Sequence, residues 1–216
     1  MKPVRLGVLL SGSGTNFQAI LDTMPSLKES GSISVVISNR VKAFGLERAR
    51  AANLPAVHLS HRDFESREAY DEALVDCLKA HGVEWLLLAG FMRIVTPTLL
   101  NAFPHRVVNI HPALLPSFKG LHGQEQAHTA GVTITGATVH LVTPEMDAGP
   151  VIAQGAVPVL DNDTPAELAK RILSMEHRLY PLVVRWICEG RLDTTRGTVN
   201  VTLDSGESRS LFWSQD

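Results

Sequence analysis

Two polar side chains that could take part in acid–base chemistry stand close together in the sequence. Asn109 and His111 follow two valines in an apolar, β-branched run that is typical of a buried strand. Because side chains alternate along an extended backbone, residues two apart point to the same face. Asn109 offers an uncharged amide donor, and His111 a proton that moves near neutral pH. The pair predicts either a catalytic strand end or a structural histidine beside Pro112.

A carboxylate follows a later strand. The segment from Thr143 to Gly149 contains turn-forming residues and comes after an apolar run, so it places Asp147 in a loop. An amide, an imidazole and a carboxylate together suit an acyl or formyl transfer, in which a tetrahedral oxyanion forms and collapses. The alternative is that Asp147 only caps its own turn, since Asp favours such positions for local hydrogen bonds.

A glycine-rich loop near the N-terminus predicts a site for an anion. Val4 to Leu10 has the pattern of a buried strand, Ser11 to Asn16 contains two glycines, and a helical pattern runs from Phe17 to about Leu27. A strand, a glycine turn and a helix N-terminus together favour phosphate. The third glycine of a dinucleotide fingerprint and the Lys-Ser/Thr pair of an ATP loop are both missing. The loop therefore predicts a phosphate-ester site, or else a plain strand-to-helix turn.

Strand and helix patterns alternate along the chain. Such alternation indicates an α/β fold, with a Rossmann-like, mostly parallel open sheet flanked by helices. The predicted strands are Ser34–Ser38, Val57–Leu59, Val83–Ala89, Thr135–Thr143 and Val151–Val159. The predicted helices are Ala43–Asn53, a long helix to about His81 that Asp63 could cap, and a last helix from Asp163 to about Glu189, interrupted at Pro181.

Composition narrows the class of protein. The 216 residues carry a formal net charge of −2, which argues against a partner such as nucleic acid or an anionic membrane. Two cysteines give no disulfide framework, so reduced thiols in the cytoplasm are expected. The apolar run Val4 to Leu10 is too short to span a bilayer. We expect a soluble cytoplasmic protein that acts on small molecules.

Three separated motifs resemble one known family. The runs LAGFMRI, NIHPALLPSF and VHLVTPEMDAGP are similar, in this order, to those of the folate-dependent formyltransferases. The resemblance extends to about Leu192. It implies the formyltransferase fold as a single domain over residues 1–192, with a phosphate-binding N-terminal half and a folate-binding, catalytic C-terminal half. Residues 193–216 would form a variable C-terminal hairpin or tail.

The resemblance also implies a reaction. The formyl group of 10-formyltetrahydrofolate, a cosubstrate, would pass to the amine of glycinamide ribonucleotide in purine biosynthesis, without a metal. Asn109 and His111 would stabilise the oxyanion, with His111 as general acid supported by Asp147. A monomer or weak homodimer is expected. His122, Glu125 and His128 lack the spacing of a zinc-hydrolase helix, and His140 is expected to be structural.

The family's binding positions fall on two sets of residues in this chain. For glycinamide ribonucleotide they are Gly14, Thr15, Asn16 and Glu176. For 10-formyltetrahydrofolate they are Arg67, Met92, Arg93, Ile94, Val95, Asn109, Thr143, Pro144, Glu145, Met146 and Asp147.

Two other functions fit these residues. One is a different enzyme that uses 10-formyltetrahydrofolate, either a deformylase or a formyltransferase acting on another amine. The phosphate-type loop argues for a phosphorylated acceptor instead. The other is a non-enzymatic binding module for nucleotide or folate, which would have no need for an imidazole–carboxylate pair.

Overall fold

The computed structural model describes residues 2–214. The chain divides after Asn109 into two compact units, residues 1–109 and 110–216. In each unit, apolar strands pair into a sheet and amphipathic helices pack their apolar sides inward. Across residues 2–214, no helix combines the length and the apolar character needed to cross a bilayer.

The first unit is built on parallel strands. Their apolar runs are buried, as expected for strands covered by helices on both faces. The strands, in the order in which they pair, are β5 (Val107–His111), β4 (Trp85–Leu88), β1 (Val4–Leu10), β2 (Gly31–Ser38) and β3 (Ala56–His58). The last two residues of β5 lie in the second unit.

Four helices connect these strands. They are α1 (Thr15–Thr23), α2 (Phe44–Ala51), α3 (Arg67–Ala80) and α4 (Pro97–Ala102), with 3₁₀ turns at Met24–Leu27 and His61–Asp63. The prediction that Asp63 caps the long helix is wrong. Ser66 is the cap, and its side chain accepts a hydrogen bond from Ala69 N at 3.0 Å. The hydroxyl directly before the first helical residue can reach that N–H, whereas Asp63 belongs to the preceding turn.

The strand order creates a switch point beside β1. The chain leaves β1 for β2 and β3 on one side, and then returns to β4 on the other side. In open α/β sheets, ligands bind at such a point, outside the carboxyl ends of the strands. The loops that follow β1 and β4 both lie there, so two of the segments singled out in the sequence flank the same crevice of the first unit.

The second unit contains an antiparallel pair and one long helix. β6 (Ile134–Leu141) pairs antiparallel with β7 (Val151–Pro158), and α6 (Pro165–Cys188) packs on both strands. The helix comes very close at Gly155, where an added Cβ would lie 2.4 Å from the Met175 side chain. A short helix, α5 (Gly123–Thr129), precedes β6.

The predicted interruption of the last helix at Pro181 is wrong. α6 runs unbroken from Pro165 to Cys188, with Pro181 inside it. Its start is fixed by a capping box in which the Thr164 side chain accepts from Glu167 N and the Glu167 side chain accepts from Thr164 N. Buried apolar residues lie on both sides of the proline. Packing of that apolar face therefore offsets the proline penalty of about 3 kcal/mol.

The C-terminal segment joins the sheet of the second unit. β8 (Leu192–Asp193) and β9 (Asn200–Val201) form a short antiparallel hairpin, and β10 (Ser210–Phe212) pairs parallel with β7. Arg209 fastens this strand, because its Nε donates to Ile152 O at 2.6 Å. The α/β class with a mostly parallel sheet flanked by helices is confirmed, and β6–β7 supplies the antiparallel part.

We predict that Gly14→Ala destabilises the protein whereas Gly12→Ala does not. Gly14 has φ 71°, and an added Cβ would lie 2.7 Å from Gly45 Cα. Left-handed strain together with this backbone contact should lower the free energy of unfolding by about 1–3 kcal/mol. At Gly12 an added Cβ meets no atom within 4 Å.

Urea unfolding of both variants measures the two effects. Equal stability of the Gly14 and Gly12 variants would contradict the predicted role of the close approach to α2.

Candidate active site

The loop after β1 holds the N-terminus of α1 open toward the carboxyl edge of the sheet. Gly14 is the N-cap in a left-handed conformation, and the first helical hydrogen bond runs from Gln18 N to Gly14 O at 2.9 Å. The N–H groups of the first turn therefore lie outside the hydrogen-bond ladder of the helix. The first turn carries no acidic side chain. Helix dipole and N–H groups together make this end of α1 suited to a phosphate.

The loop after β4 is fixed to the loop after β1. Ser11 N donates to Gly90 O at 3.0 Å, and Met92 N donates to Ser11 Oγ at 2.9 Å. The Ser11 hydroxyl in turn donates to Asn39 Oδ1 at 2.6 Å. The Asn39 amide then faces His61 Nδ1 at 3.3 Å. A polar chain thus connects the carboxyl ends of β1 and β2 with the segments after β3 and β4.

The segment Gly90–Val95 exposes apolar side chains. Met92 and Ile94 are 59% and 54% exposed, whereas Val95 is buried. The guanidinium of Arg93 lies 5.5 Å from the centroid of the Tyr70 ring, close enough for a cation–π contact. Arg67 is the exposed first residue of α3, three positions before Tyr70. Residues three apart share a helix face, so Arg67 and Arg93 approach the same side of α3.

β5 carries Asn109 and His111 with one residue between them, as the sequence predicts. His111 is only 4% exposed. Its Nε2 lies 2.8 Å from the carbonyl oxygen of Phe118. Because a carbonyl can only accept, this ring nitrogen carries the proton and donates it.

Asp147 stands between two imidazoles. Its Oδ2 lies 3.4 Å from His111 Nδ1, and its Oδ1 lies 3.6 Å from His140 Nε2. Oδ2 also accepts from Gly120 N at 2.8 Å. The Asp147 backbone has φ 51°, a left-handed conformation that Asp and Asn adopt more readily than most residues. The turn after β6 therefore directs its carboxylate at His111 and at the loop containing Gly120.

Counting protons favours a cation beside this carboxylate. The N–H of His111 goes to Phe118 O, and His140 Nδ1 donates to Leu141 O at 2.9 Å. In either neutral ring the other nitrogen would present a lone pair to Asp147, so a protonated ring is better satisfied. Burial is the main cause that lowers the pKa of His140, although the charge of Asp147 opposes it. We therefore infer that His111 is the ring that carries the second proton.

The other predicted residues of the second unit lie on two elements. Thr143 to Met146 form the exposed part of the turn that ends in Asp147, with Met146 51% exposed. Glu145 lies 3.3 Å from Lys119 Nζ, which connects this turn to the loop after β5. Glu176 is on α6 and only 6% exposed, although charged helix residues are usually solvated.

His122, which the sequence suggested as a loop residue, is exposed and lies 3.5 Å from Glu125. Within the part of the chain that the structure describes, no three His, Cys, Asp or Glu side chains are arranged to hold a metal ion.

The sequence did not identify several residues that this arrangement uses. His140 was expected to be structural, yet it contacts the same carboxylate as His111. Ser11, Asn39 and His61 were not singled out as a network. A polar residue inside an otherwise buried strand was a signal for His140. Nothing local marks the Ser11–Asn39 bond, because its partners are 28 residues apart.

We predict that His140 makes the stability depend on pH. Since its pKa is lowered in the folded protein, the unfolded chain binds a proton first as the pH falls below about 6.5. The stability contributed by neutral His140 is thus present above that pH and is lost below it. His140→Gln removes this term, so the stability advantage of the wild type over the variant should shrink between pH 7.5 and pH 5.5.

Urea unfolding at the two pH values measures the difference, which is at most about 1.4 kcal/mol per pH unit. A constant or growing advantage at low pH would show that His140 is not held neutral.

Comparison with known proteins agrees with this architecture. The family model described as formyl transferase matches residues 4–184. Phosphoribosylglycinamide formyltransferase from Escherichia coli (strain K12) is 44% identical over 185 residues, which is 86% of this chain and 87% of that protein. The human trifunctional purine biosynthetic protein adenosine-3 is 37% identical over 98% of this chain, which spans 20% of that larger protein.

Solved structures are similar over most of the chain. Glycinamide ribonucleotide transformylase 1 from Symbiobacterium toebii superposes with a TM-score of 0.89 at 50% identity, covering 93% of this chain and 94% of that one. Phosphoribosylglycinamide formyltransferase from Anaplasma phagocytophilum also gives a TM-score of 0.89, at 41% identity over 99% of this chain and 100% of that one. The fold, the family match and these identities lead to one conclusion: the chain belongs to the formyl transferase family.

Proposed function

We propose that the protein transfers the formyl group of 10-formyltetrahydrofolate to the amine of glycinamide ribonucleotide, a step of de novo purine biosynthesis in the cytoplasm. The similar proteins from Escherichia coli and Anaplasma phagocytophilum carry the name of this activity. Cys77 and Cys188 are free thiols, which suits a reducing compartment. The observation that carries the proposal is the buried His111–Asp147 pair at the end of β5, in a chain of this family.

The chemistry needs stabilisation of a transient oxyanion. The substrate amine attacks the formyl carbon, a C–N bond forms, and the carbonyl oxygen becomes negative. The Asn109 amide and protonated His111 donate hydrogen bonds to this oxygen, each worth about 3 kcal/mol in a dry site. Collapse of the intermediate breaks the bond to the folate nitrogen. The proton lost by the amine reaches that nitrogen through His111 or a water, and tetrahydrofolate leaves.

His111 is engaged before substrate arrives. Its Nε2 bonds to Phe118 O, and the same loop is tied to Asp147 through Gly120 N. We infer that the substrate oxygen takes the place of the Phe118 carbonyl, so the loop after β5 shifts on binding. Asp147 keeps the second nitrogen, Nδ1, and stabilises the imidazolium through the exchange.

The predicted binding residues fit the two ligands. At the start of α1, Gly14, Thr15 and Asn16 would bind the phosphate of the ribonucleotide, because this end of the helix favours an anion. Glu176 would contact the same substrate from α6. Asn109 and Asp147 would bind the folate as well. The remaining predicted folate contacts are Arg67, Met92, Arg93, Ile94, Val95, Thr143, Pro144, Glu145 and Met146.

Exposed apolar side chains support the folate assignment. Met92, Ile94 and Met146 each leave more than half of their surface in solvent. Burial against a flat heteroaromatic ring would remove this area from water, at about 25 cal/mol per Å². Arg67 and Arg93 carry positive charge suited to the carboxylates of the cosubstrate.

Turnover of 10-formyltetrahydrofolate with and without glycinamide ribonucleotide tests the proposal directly. We expect tetrahydrofolate to form only when the ribonucleotide is present. Release of formate in its absence would instead identify a deformylase. Binding of both ligands without turnover would identify a non-enzymatic module.

We predict that His111→Asn lowers kcat roughly 100-fold or more, as expected for loss of a general acid and oxyanion donor. His81→Asn is the matched control, since it removes an imidazole that bonds to Cys77 O at the C-terminal end of α3. Circular dichroism should show both variants folded. Near-wild-type turnover of the folded His111 variant would remove His111 from the mechanism.

We predict that Asp147→Asn lowers kcat and changes its pH dependence. Asn tolerates the left-handed backbone and can still accept from Gly120 N, but it carries no charge. Without that charge the imidazolium is less favoured, so the limb of the pH–rate curve set by a required protonated group moves to lower pH. A pH–rate curve superimposable on that of the wild type would mean that Asp147 serves only the loop.

A further inference from the structure

A cavity in the first unit is surrounded by cationic side chains. It has a volume of about 590 Å³ and opens beside the carboxyl ends of β2 and β3. The described residues that line it include six that are basic and none that is acidic. These six are Arg40, Lys42, His58, His61, Arg62 and Arg93.

The charges of this cavity are not neutralised by the described protein. Among residues 2–214, neither Arg40, Lys42, Arg62 nor Arg93 makes an ion pair within 4 Å. The only aromatic contact given for them is that of Arg93 with the ring of Tyr70. Four cations facing one cavity repel one another, and an anionic ligand would relieve that repulsion.

The electrostatics of His61 agree with this arrangement. Burial lowers the pKa of His61, and the positive charges of Arg93, Arg62 and Arg40 lower it further. These three guanidinium groups come from three segments of the chain, after β2, after β3 and after β4. Their fields therefore converge on the imidazole at the wall of the cavity.

The walls are held in place by hydrogen bonds. Asn39 connects His61 to Ser11, and Ser11 accepts from Met92 N. The Tyr70 ring supports Arg93 and also packs edge-on against His61, with ring centroids 6.3 Å apart. A preorganised wall loses little entropy when a ligand binds.

We propose that this cavity binds the oligo-γ-glutamate tail of the folate cosubstrate. The inference rests on the proposed function, because it takes Met92 and Arg93 as folate contacts, and both also line the cavity. Each γ-linked glutamyl unit adds one carboxylate to a flexible chain. A chain of carboxylates matches cations spread over several segments, whereas the single phosphate of a mononucleotide is better suited to the start of α1.

The proposal assigns different roles to the arginines. Arg93, held on Tyr70 next to the exposed Met92, meets the first glutamate. Arg40, Lys42 and Arg62 are exposed at the far walls of the cavity and meet the later carboxylates. They should affect tail affinity and leave the formyl-transfer step unchanged.

The test compares monoglutamate and pentaglutamate forms of 10-formyltetrahydrofolate. For the wild type we expect a KM for the pentaglutamate roughly tenfold lower, as several partly exposed charge pairs would give. The double variant Lys42→Gln/Arg62→Gln should lose most of this advantage, with kcat and the monoglutamate KM changed less than about twofold. Added salt should weaken the advantage in the wild type.

A matched control separates a local effect from a change in net charge. Lys28→Gln/Lys79→Gln removes the same charge from two exposed positions outside the cavity. It should retain the pentaglutamate advantage. Equal KM values for the two folates in the wild type would overturn the proposal. So would full retention in the Lys42/Arg62 variant, or equal loss in the control.

Calorimetric binding of tetrahydrofolate with one and with five glutamates distinguishes this failure from failure of the proposed function. A wild type that prefers the pentaglutamate, with that preference lost in the Lys42/Arg62 variant, supports the tail site even if no formyl transfer occurs. A wild type that binds neither form overturns both the folate assignment and the tail site. Equal binding of both forms overturns the tail site alone.

Discussion

The shared carboxylate of Asp147 is the constraint on which the candidate active site depends. One charge faces His111 and His140 and also accepts from Gly120 N, so it orders a strand, a neighbouring strand and a loop together. A buried carboxylate is costly unless its oxygens are satisfied. Here both oxygens have a partner, and the neutral state of His140 leaves the attraction of the charge to His111. Position and protonation of the imidazole therefore share one cause.

Strand topology explains why the predicted ligand segments of the first unit lie near one another. β1 stands between β2 and β4, so the chain must reverse its direction of addition beside it. The loops after β1 and β4 flank that point, and the hydroxyl of Ser11 closes the gap between them. One loop supplies backbone N–H groups at a helix start, and the other supplies apolar surface and Arg93. Different ligand chemistries can thus be served from adjacent strand ends.

The sequence predicted the features that depend on local pattern, and the nonlocal ones mostly escaped it. Alternating strand and helix patterns indicated the α/β class, and the spacing of Asn109 and His111 placed both on β5. Family motifs suggested that Asp147 works with His111. The part of His140 did not emerge, because one histidine in a buried strand resembles any satisfied polar residue. Pro181 was misjudged because propensity is local, whereas packing of the whole helix decides its continuity.

The resting state of His111 bears on how the site can work. A histidine that is 4% exposed cannot wait with an unpaired N–H, and the Phe118 carbonyl meets that need in the structure. Substrate binding is then an exchange of one acceptor for another. An exchange costs little for a neutral carbonyl, but it becomes favourable as the substrate oxygen gains negative charge, since hydrogen bonds to ionised acceptors are about twice as strong. The same contact that satisfies the free protein thereby directs the strength of His111 toward the transition state.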